Sequence, residues 1–533
     1  MPAELAVFGT DIRTMDPRRP TATALAVTDG LLVAVGSDDE VRDACDASTR
    51  VLGETGWAIT PGLTDGHQHL FHGAELGRGL DFDRIGDLDK VRAAIAAERL
   101  RIGRGTWLLG FALEYAALGV QPYHHDLIDG AAGDGPMLVY SLDLHTGFTN
   151  AEGLRLAGVQ GARRFPDGAS IVCDDEGRPT GELRERSAID VMREAIPRVE
   201  RHERLQWYRD AIERQNAVGI TAIHQMDGTF ETADLLGELE ANGALGLRVA
   251  LHYWVDPSTD DAAVDAITRG PRRSGGRWRA DGVKFMLDGV IETGTAWLEE
   301  PDCEGAGNEP MWPDVDQYRR TVRRVHDAGL RVATHAIGDR AVREVLDAYG
   351  SLPDGSGHHR IEHIETAPDA IVQRFAGQGV TASMQPIHLR WMKPDLSDPW
   401  SQRLGAARCA HCMRSGDLSG AGALVVLGSD WPVAPFDPRL GLFAAQMRRA
   451  PDLPDQGPIG TSAPLSALEA LAGYTTNAAR AIGEGDVAGM LRPGYRADFV
   501  AWGQDPVRCR AVDLPELPVL ATVVDGNVVY RAD

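Results

Sequence analysis

The sequence has few cysteines, an excess of acidic over basic residues and no long apolar run. Six cysteines among 533 residues do not indicate a disulfide framework. The one close pair, Cys409 and Cys412, lacks the second CxxC pair that would complete a zinc site, so we expect packing cysteines in a reducing compartment. The formal net charge of -24 argues against binding to nucleic acids or anionic membrane surfaces.

Membrane and export signals are also missing from the sequence. No stretch approaches the roughly 20 apolar residues that a transmembrane helix needs. The first nine residues, MPAELAVFG, have neither the basic flank nor the apolar run of a signal peptide. The sequence therefore predicts a cytoplasmic protein with a small molecule as its substrate, and it leaves open whether the chain is a monomer or a homo-oligomer.

The two ends of the chain share a pattern that the middle lacks. Residues 1–60 and 482–533 alternate short β-branched runs with turns such as Thr28-Asp-Gly30. Because 533 residues exceed the usual size of one hydrophobic core, we expect more than one domain. We predict that the two ends together form one small β-sandwich and that residues 61–481 form the catalytic domain.

Strands and helices alternate in the middle of the chain, which is typical of parallel βα units. The fold predicted for this α/β region is a (β/α)8 barrel of the TIM type. A long insertion, at about residues 75–215, separates the first two barrel strands. The predicted strands are Leu63–His69, Ile220–His224, Leu247–Tyr253, Val283–Met286, Arg331–His335, Arg360–His363, Thr381–Gln385 and Leu424–Ser429.

Histidines and one carboxylate lie at the carboxyl ends of these strands, where barrel enzymes place their active sites. His67 and His69 are two residues apart on one strand, so both imidazoles leave the same face and can bind one ion. His335, His363 and Asp430 each end another apolar strand. A single histidine at a strand end is more often a hydrogen-bonded core residue. Four at one barrel mouth would share a desolvation cost that a metal ion offsets.

Lys284 lies within an otherwise apolar run of the fourth predicted strand. One interpretation is a lysine whose stem is buried and whose ammonium reaches solvent. If the barrel register holds, the side chain points into the metal site, where cations would repel an ammonium. A carboxylated lysine would remove this conflict by supplying an anionic bridge between two ions.

Nine short motifs are spread over almost the whole chain. They are Thr60–His69, Pro179–Gly181, Val283–Gly289, His335–Asp339, Arg360–His363, Ser383–Pro386, Gly428–Pro432, Tyr474–Asn477 and Gly494–Asp498. Together they resemble the YtcJ-like branch of the amidohydrolase superfamily, which includes N-substituted formamide deformylases. One departure is Gly66, where many relatives carry alanine; glycine removes only a methyl group and leaves the ligand assignment intact.

The resemblance implies a barrel, a composite β-sandwich and one or two divalent ions, usually zinc. The implied ligands are His67 and His69 for the more buried ion, His335 and His363 for the second, Lys284 as a carboxylated bridge, and Asp430. Asp430 is also the implied catalytic residue, which would accept a proton from the attacking water and pass it to the leaving amine.

Substrate contacts are predicted at His145, Asn150, His388 and Trp431. His145 and Asn150 follow an apolar run of the insertion and resemble a segment that approaches the pocket in this family. The alternatives are a packed His145 and a capping or turn role for Asn150. His388 follows the seventh strand and would either meet substrate or order its loop. Trp431 follows Asp430, although large aromatic side chains more often belong to the core.

These patterns favour a metal-dependent hydrolase that cleaves the C–N bond of a small amide, such as an N-substituted formamide, with metal-activated water. A mononuclear metal-dependent deaminase is the alternative. Lys284 argues against it because a one-ion site needs no bridge. A binding protein without catalysis is a third hypothesis, which candidate residues at all six metal positions disfavour.

Overall fold

A parallel β-sheet of eight strands forms the centre of the computed structural model and curls into an almost closed barrel. In spatial order, which is also chain order, the strands are Leu63–Gln68, Ile220–Gly228, Arg248–Val255, Trp278–Met286, Arg331–Ala336, Arg360–His363, Thr381–Met384 and Val425–Leu427. The structure describes every residue except 1, 54–55, 120–122, 166–167, 354–357, 452, 454–455 and 533. The prediction of a (β/α)8 barrel is confirmed.

The barrel closes where its first and eighth strands meet. The Asp430 amide donates to the His67 carbonyl oxygen over 2.7 Å. Gly66 lies at this seam, and a Cβ added there would come within 2.7 Å of the Leu427 carbonyl oxygen. Glycine at position 66 therefore lets the two strands approach closely.

Helices cover the outside of the barrel. They are Phe230–Ala241, Asp261–Arg269, Val315–Asp327, Asp339–Gly350, Asp369–Gln378, Ser415–Gly420 and Pro438–Met447. In the helix Val315–Asp327, Tyr318, Val322 and Val325 are buried at the spacing of one helical face. This helix thus packs one apolar face against the barrel.

The chain between the first two barrel strands builds a second sheet of seven strands. Their order is Arg163–Arg164, Ser170–Cys173, Pro179–Arg184, Thr146–Thr149, Met137–Ser141, Leu108–Leu113 and Leu80–Asp81. The helices of this segment are Leu70–Leu76, Leu88–Ile102, Asp126–Ala132, Ala151–Leu156, Arg186–Ala195 and Arg201–Asn216, with a 3-10 turn at Tyr115–Leu118. Val139 packs in one hydrophobic cluster, whereas Leu138 and Tyr140 pack in another, because alternate side chains of a strand face opposite sides.

Two further sheets are built from the ends of the chain. One has the order Leu31–Gly36, Ala24–Thr28, Leu5–Val7 and Arg50–Val51; the other has the order Asn527–Arg531, Val519–Val524, Phe499–Trp502, Ala58–Pro61, Asp11–Arg13 and Thr21–Ala22. The second sheet combines both termini, since Phe499–Trp502 pairs antiparallel with Ala58–Pro61. One hydrophobic cluster contains buried residues of both sheets, including Val7, Leu25, Phe499 and Val523.

The remaining elements are short. They are the strand Arg273–Ser274, the helices Asp38–Arg42, Pro399–Leu404, Ala406–Cys409, Ala467–Gly473 and Thr476–Ala481, and the 3-10 turns Pro386–Trp391 and Ala511–Glu516. Cys409 and Cys412 are buried with free thiols in a hydrophobic cluster. Among the helices that the structure describes, none has the length and apolar character needed to cross a membrane.

Candidate metal centre

Two histidines at the mouth of the barrel each have one ring nitrogen engaged and the other available. His67 Nδ1 lies 2.6 Å from a Glu362 carboxylate oxygen, so it donates to that oxygen and Nε2 keeps its lone pair. His335 Nε2 lies 3.2 Å from the Gly289 carbonyl oxygen and donates to it, which leaves Nδ1 as the ligand atom. Both imidazoles are thereby held in the tautomer that a metal site requires.

His69, on the neighbouring side of the mouth, differs because both of its ring nitrogens lie near carboxylates. Its Nδ1 lies 3.3 Å from Asp227, at the end of the second barrel strand, and its Nε2 lies 3.1 Å from Asp430 Oδ1. Burial opposes protonation of His69, but the two carboxylates outweigh it and raise its pKa to about 9. Binding of a cation would therefore displace a proton from this ring.

Asp430 is the centre of the arrangement. Its Oδ1 lies 3.3 Å from His67 Nε2, and its Oδ2 lies 3.8 Å from His363 Nδ1 and 3.9 Å from His388 Nε2. His67, His69 and Asp430 offer ligand atoms within 4.8 Å of one another, and so do His363, His388 and Asp430. The carboxylate thus belongs to two groups of donors, which suits either one ion or two adjacent ions.

The backbone around this carboxylate is in an unusual conformation. Asp430 has φ 62° and His363 has φ 74°, both in the left-handed region that non-glycine residues seldom adopt. Such conformations persist only where the surroundings enforce them, and they are concentrated at functional sites. At Asp430 the enforcement comes from Ser429, whose amide donates to Asp65 over 2.9 Å.

The protonation states of these residues fit a divalent cation. Burial lowers the pKa of His67, His335 and His363, and the nearby Lys284 lowers each further, so the imidazoles are neutral. Burial opposes ionisation of Asp430, but His67 and His69 hold its pKa well below the usual range. Neutral imidazoles with an ionised carboxylate form the donor set that zinc and related ions bind.

Lys284 is fully inside the barrel and does not reach solvent. It is 1% exposed, and its Nζ lies 3.4 Å from His67 Nε2. Burial lowers its pKa to about 8. The structure therefore brings Lys284 to the histidine and Asp430 cluster, as the barrel register predicted, and the alternative of an ammonium in solvent is wrong.

The insertion contributes His145 to the same cavity, opposite the barrel residues. Its ring centroid lies 5.5 Å from that of His335, and its Nδ1 lies 2.8 Å from Glu185 Oε2. Burial opposes protonation, but Glu185 and Asp143 raise the pKa of His145 to about 9. The backbones of Leu144 (φ 65°) and Glu185 (φ 63°) both lie in the left-handed region, so strained segments hold this pair.

A cavity of about 270 Å³ connects these residues with the outside. Its lining includes His69, Asp143, His145, Glu185, Asp227, Lys284, His335, His363 and Asp430 at the metal end, and Phe71, Leu144, Ile189, Leu235, Trp254 and Val433 on apolar walls. A concave site in which polar groups converge next to apolar walls is typical of small-molecule binding.

Comparison of the sequence with known proteins identifies the family to which the chain belongs. The sequence model of the amidohydrolase family matches residues 55–530. The chain belongs to the amidohydrolase family. It is 28% identical over 526 residues to the YtcJ protein of Bacillus subtilis (strain 168), with 98% of each chain covered. It is 27% identical over 550 residues to the N-substituted formamide deformylase of Arthrobacter pascens, covering 99% of this chain and 98% of that protein.

A solved structure shares the fold of this amidohydrolase. The crystal structure of an uncharacterized metal-dependent hydrolase from Pyrococcus horikoshii OT3 matches with a TM-score of 0.73 at 23% identity, over 95% of this chain and 99% of that chain. This match shows the shared fold, while the resemblance to YtcJ-like amidohydrolases is confirmed by the family match and the two relatives.

The four predicted substrate contacts of the amidohydrolase have different surroundings. His145 lines the cavity, as expected. His388 lies beside Asp430 with its Nε2 buried and without a hydrogen-bond partner, which groups it with candidate ligands. Asn150 caps the helix Ala151–Leu156: its Oδ1 accepts from Gly153, and its Nδ2 donates to the Gly135 carbonyl. These bonds favour the capping alternative.

Trp431 is turned away from the cavity. Its ring meets Phe436 edge to face with centroids 5.3 Å apart, and a Cβ on Gly73 would come within 2.6 Å of the indole. It is 8% exposed and belongs to the main hydrophobic cluster. The expectation that large aromatics belong to the core therefore describes Trp431 better than a substrate contact does.

Three carboxylates of the site were not singled out from the sequence. Glu362 precedes His363 on the strand Arg360–His363, and a charged residue inside a predicted core strand was a usable signal. Asp227 was missed because the second strand runs to Gly228, beyond the predicted end at His224. Glu185 begins a helix of the insertion and carries no local signal for its contact with His145.

Proposed function

We propose that this amidohydrolase cleaves the C–N bond of a small amide, with an N-substituted formamide as the first candidate. The observation that carries the proposal is the convergence of His67, His69 and Asp430, next to Lys284, at the end of a cavity sized for a small molecule. The formamide deformylase among the relatives supports the choice of substrate, at 27% identity.

The residues that would hold one or two divalent ions are His67, His69, Lys284, His335, His363 and Asp430, with His388 as a further candidate. Nitrogen donors with a carboxylate suit zinc. When bound, the ion would supply activated water and polarise the amide carbonyl. Lys284 would contribute as a carbamate, which forms from a neutral amine, and the lowered pKa of about 8 increases the neutral fraction of that amine.

Asp430 would handle the proton of the reaction. Its ionised carboxylate accepts one proton from the attacking water as the carbonyl carbon gains the new C–O bond. The same carboxyl group then returns that proton to the leaving nitrogen while the C–N bond breaks. The products are a carboxylic acid and an amine, so atoms and charge balance without a further reactant.

His145 would donate to the carbonyl oxygen as negative charge develops there. Its Nδ1 is held by Glu185, so the opposite edge of the ring is free for the substrate. Donors aimed at a developing oxyanion are among the strongest catalytic contributions. Glu185 would act as a positioning residue, because it orients His145 and keeps it protonated.

The variant Glu185→Gln tests this role. The glutamine still accepts from His145 Nδ1 but no longer raises its pKa, so the alkaline limb of the kcat/KM profile should move to lower pH. We expect about 10-fold lower kcat/KM at pH 8, since a donor to the oxyanion is lost there. The matched control is Glu182→Gln in the adjacent strand, whose carboxylate pairs with Arg184. An unchanged pH profile in Glu185→Gln would remove Glu185 from this role.

Metal removal tests the whole proposal. Dialysis against a chelator should abolish hydrolysis of N-substituted formamides, and added Zn²⁺ should restore it, with one or two ions per chain by elemental analysis. Formate and amine should appear in equal amounts. A metal-free protein with full activity would contradict the proposal.

A second candidate is deamination on a single ion. One observation favours it, since His67, His69 and Asp430 already form a complete group of three donors without Lys284. Ammonia as the released nitrogen product, together with one tightly bound ion per chain, would support this candidate over amide hydrolysis.

We propose in addition that the two terminal sheets form one β-sandwich that supports the barrel. Their common hydrophobic cluster supports the sandwich. The barrel residue Arg248 connects to it, because its guanidinium donates to Asp498 over 2.6 Å and also pairs with Asp525.

A further inference from the structure

A second cavity adjoins the catalytic one. It measures about 550 Å³ and lies against the insertion sheet and the helix Arg201–Asn216. Six residues line both cavities: His72, Glu75, Tyr140, Arg193, Arg204 and Glu231. The two cavities therefore adjoin along these residues, so the second cavity lies next to a substrate bound at the metal end.

The junction of the cavities carries polar groups that lack partners within the protein. His72 Nε2 is buried without a hydrogen-bond partner. The Tyr140 ring meets His72 edge to face with centroids 5.6 Å apart, and its hydroxyl makes no hydrogen bond to any residue that the structure describes. Burial and the charge of Arg193 lower the pKa of His72 to about 3, so the ring is neutral and has one N–H to donate. Unpaired polar groups next to a cleft indicate a ligand that pairs with them.

The two arginines of the junction are compensated differently: Arg204 pairs with both Glu75 and Glu231, whereas Arg193 shares its carboxylate partner. Arg193 lies 3.1 Å from Asp190, but Asp190 also faces Arg186 at 3.6 Å, so two guanidinium groups share one carboxylate. The second cavity is lined by five arginines, Arg78, Arg101, Arg193, Arg198 and Arg204, against three glutamates, Glu75, Glu98 and Glu231. Because Asp190 is shared with Arg186, Arg193 keeps guanidinium N–H groups that can donate to an anion.

Apolar side chains form further walls of the second cavity. Its walls include Leu76, Ile102, Trp107, Leu109, Leu138, Ile196, Val199 and Trp207. Such walls accept hydrocarbon or aromatic groups, and they lie beyond the polar junction as seen from the metal end.

We propose that the junction of His72, Tyr140 and Arg193 binds a carboxylate group of the substrate, so that the preferred amides are acidic molecules with an apolar part. This inference rests on the proposed amide hydrolysis and specifies its substrate class. Tyr140 donates its hydroxyl proton, His72 donates an N–H, and Arg193 donates through the N–H groups that Asp190 does not use. The apolar part of the substrate extends into the second cavity.

The test compares a formamide that carries a terminal carboxylate with its neutral methyl ester. For the metal-loaded wild-type protein, we expect kcat/KM to be at least about 10-fold higher for the acid, which corresponds to one hydrogen bond to a charged group. Tyr140→Phe and Arg193→Gln should each lower kcat/KM for the acid by about 10-fold through KM and leave the ester within about 2-fold. The control Tyr495→Phe removes a buried hydroxyl in the terminal region, where it donates to the Gly485 carbonyl, and should change neither substrate.

The outcomes separate this inference from the function on which it rests. Equal kcat/KM for acid and ester, or unchanged values in both junction variants, would overturn the carboxylate site while amide hydrolysis stands. If neither compound is hydrolysed, the proposed amide hydrolysis is wrong. Titration calorimetry then tests whether the junction binds a carboxylate. The wild-type protein should then bind the amino carboxylate product at least about 10-fold more tightly than its methyl ester. Equal affinities would overturn the inference.

Discussion

Replacing Asp430 by asparagine is expected to lower kcat by about 10³-fold, because the side chain keeps its shape but can no longer take up a proton. Asp430 is the residue at which both groups of candidate ligands meet, with its Oδ1 3.1 Å from His69 Nε2. Its pKa is held well below the usual range by His67 and His69, so it is ionised and ready to accept a proton at neutral pH. The measurement is the rate of formate and amine release under saturating substrate.

The same variant requires a metal measurement, since Asp430 is also a candidate ligand. An asparagine oxygen can still coordinate, so the metal content of Asp430→Asn should fall less than its activity. The matched control is Asp339→Asn, which lies on the same face of the barrel but accepts from the Glu299 amide. Asp339→Asn should retain kcat within about 2-fold. An Asp430→Asn protein with full metal and full turnover would contradict the assignment of Asp430.

The candidate metal ligands that could be predicted from the sequence share one property: each lies within a barrel strand or shortly after its end. The sequence predicted that the side chains of four residues meet at one site, because the parallel strands of a barrel present their carboxyl ends on one face. These residues are His67, Lys284, His335 and His363. Strand periodicity then decides which side chains point inward. The predicted limits of the strands were less accurate. The second strand, for example, continues through polar residues as far as Gly228, beyond its predicted end at His224.

The residues that could not be predicted depend on contacts between segments distant in sequence. Glu185 reaches His145 across 40 positions, within an insertion whose fold no barrel rule describes. Trp431 turned out to fill space beside Gly73 because the helix after the first strand passes close to it. Asn150 caps a helix, a role that the sequence offered as an alternative to the predicted substrate contact. Sequence patterns identify chemistry on regular elements, whereas the direction of a loop side chain is decided by tertiary packing.

The largest expected effect on stability concerns Glu362, which connects the barrel interior to the metal site. Its carboxylate accepts from Arg360 Nε over 2.5 Å and lies 2.6 Å from His67 Nδ1, and all three side chains are fully buried. Burial opposes its ionisation, but Arg360 and His67 hold its pKa well below the usual range. We expect Glu362→Gln to destabilise the metal-free protein by about 3 kcal/mol or more, because it leaves the guanidinium of Arg360 buried without a counter-ion.

Glutamine cannot replace this carboxylate even though it has the same size. Arg360 and His67 Nδ1 both donate, and a glutamine offers one oxygen acceptor while its NH₂ group faces a second donor. His67 therefore loses the partner that fixes its tautomer, and metal affinity should fall by about 10- to 100-fold. Competition with a chelator of known affinity measures this effect, and unfolding of the metal-free protein in denaturant measures the stability.

Measuring the metal-free form separates the two consequences of Glu362→Gln. A bound ion stabilises the folded state by mass action, so weaker binding alone would lower the unfolding midpoint of the loaded protein. Between the metal-free proteins, the difference in unfolding free energy therefore reflects only the loss of the buried ion pair. The control Glu344→Gln breaks a pair with Arg319, whose side chain is 43% exposed, and should cost less than about 1 kcal/mol. If the metal-free Glu362→Gln protein unfolds at the same denaturant concentration as the wild type, the buried pair does not stabilise the barrel.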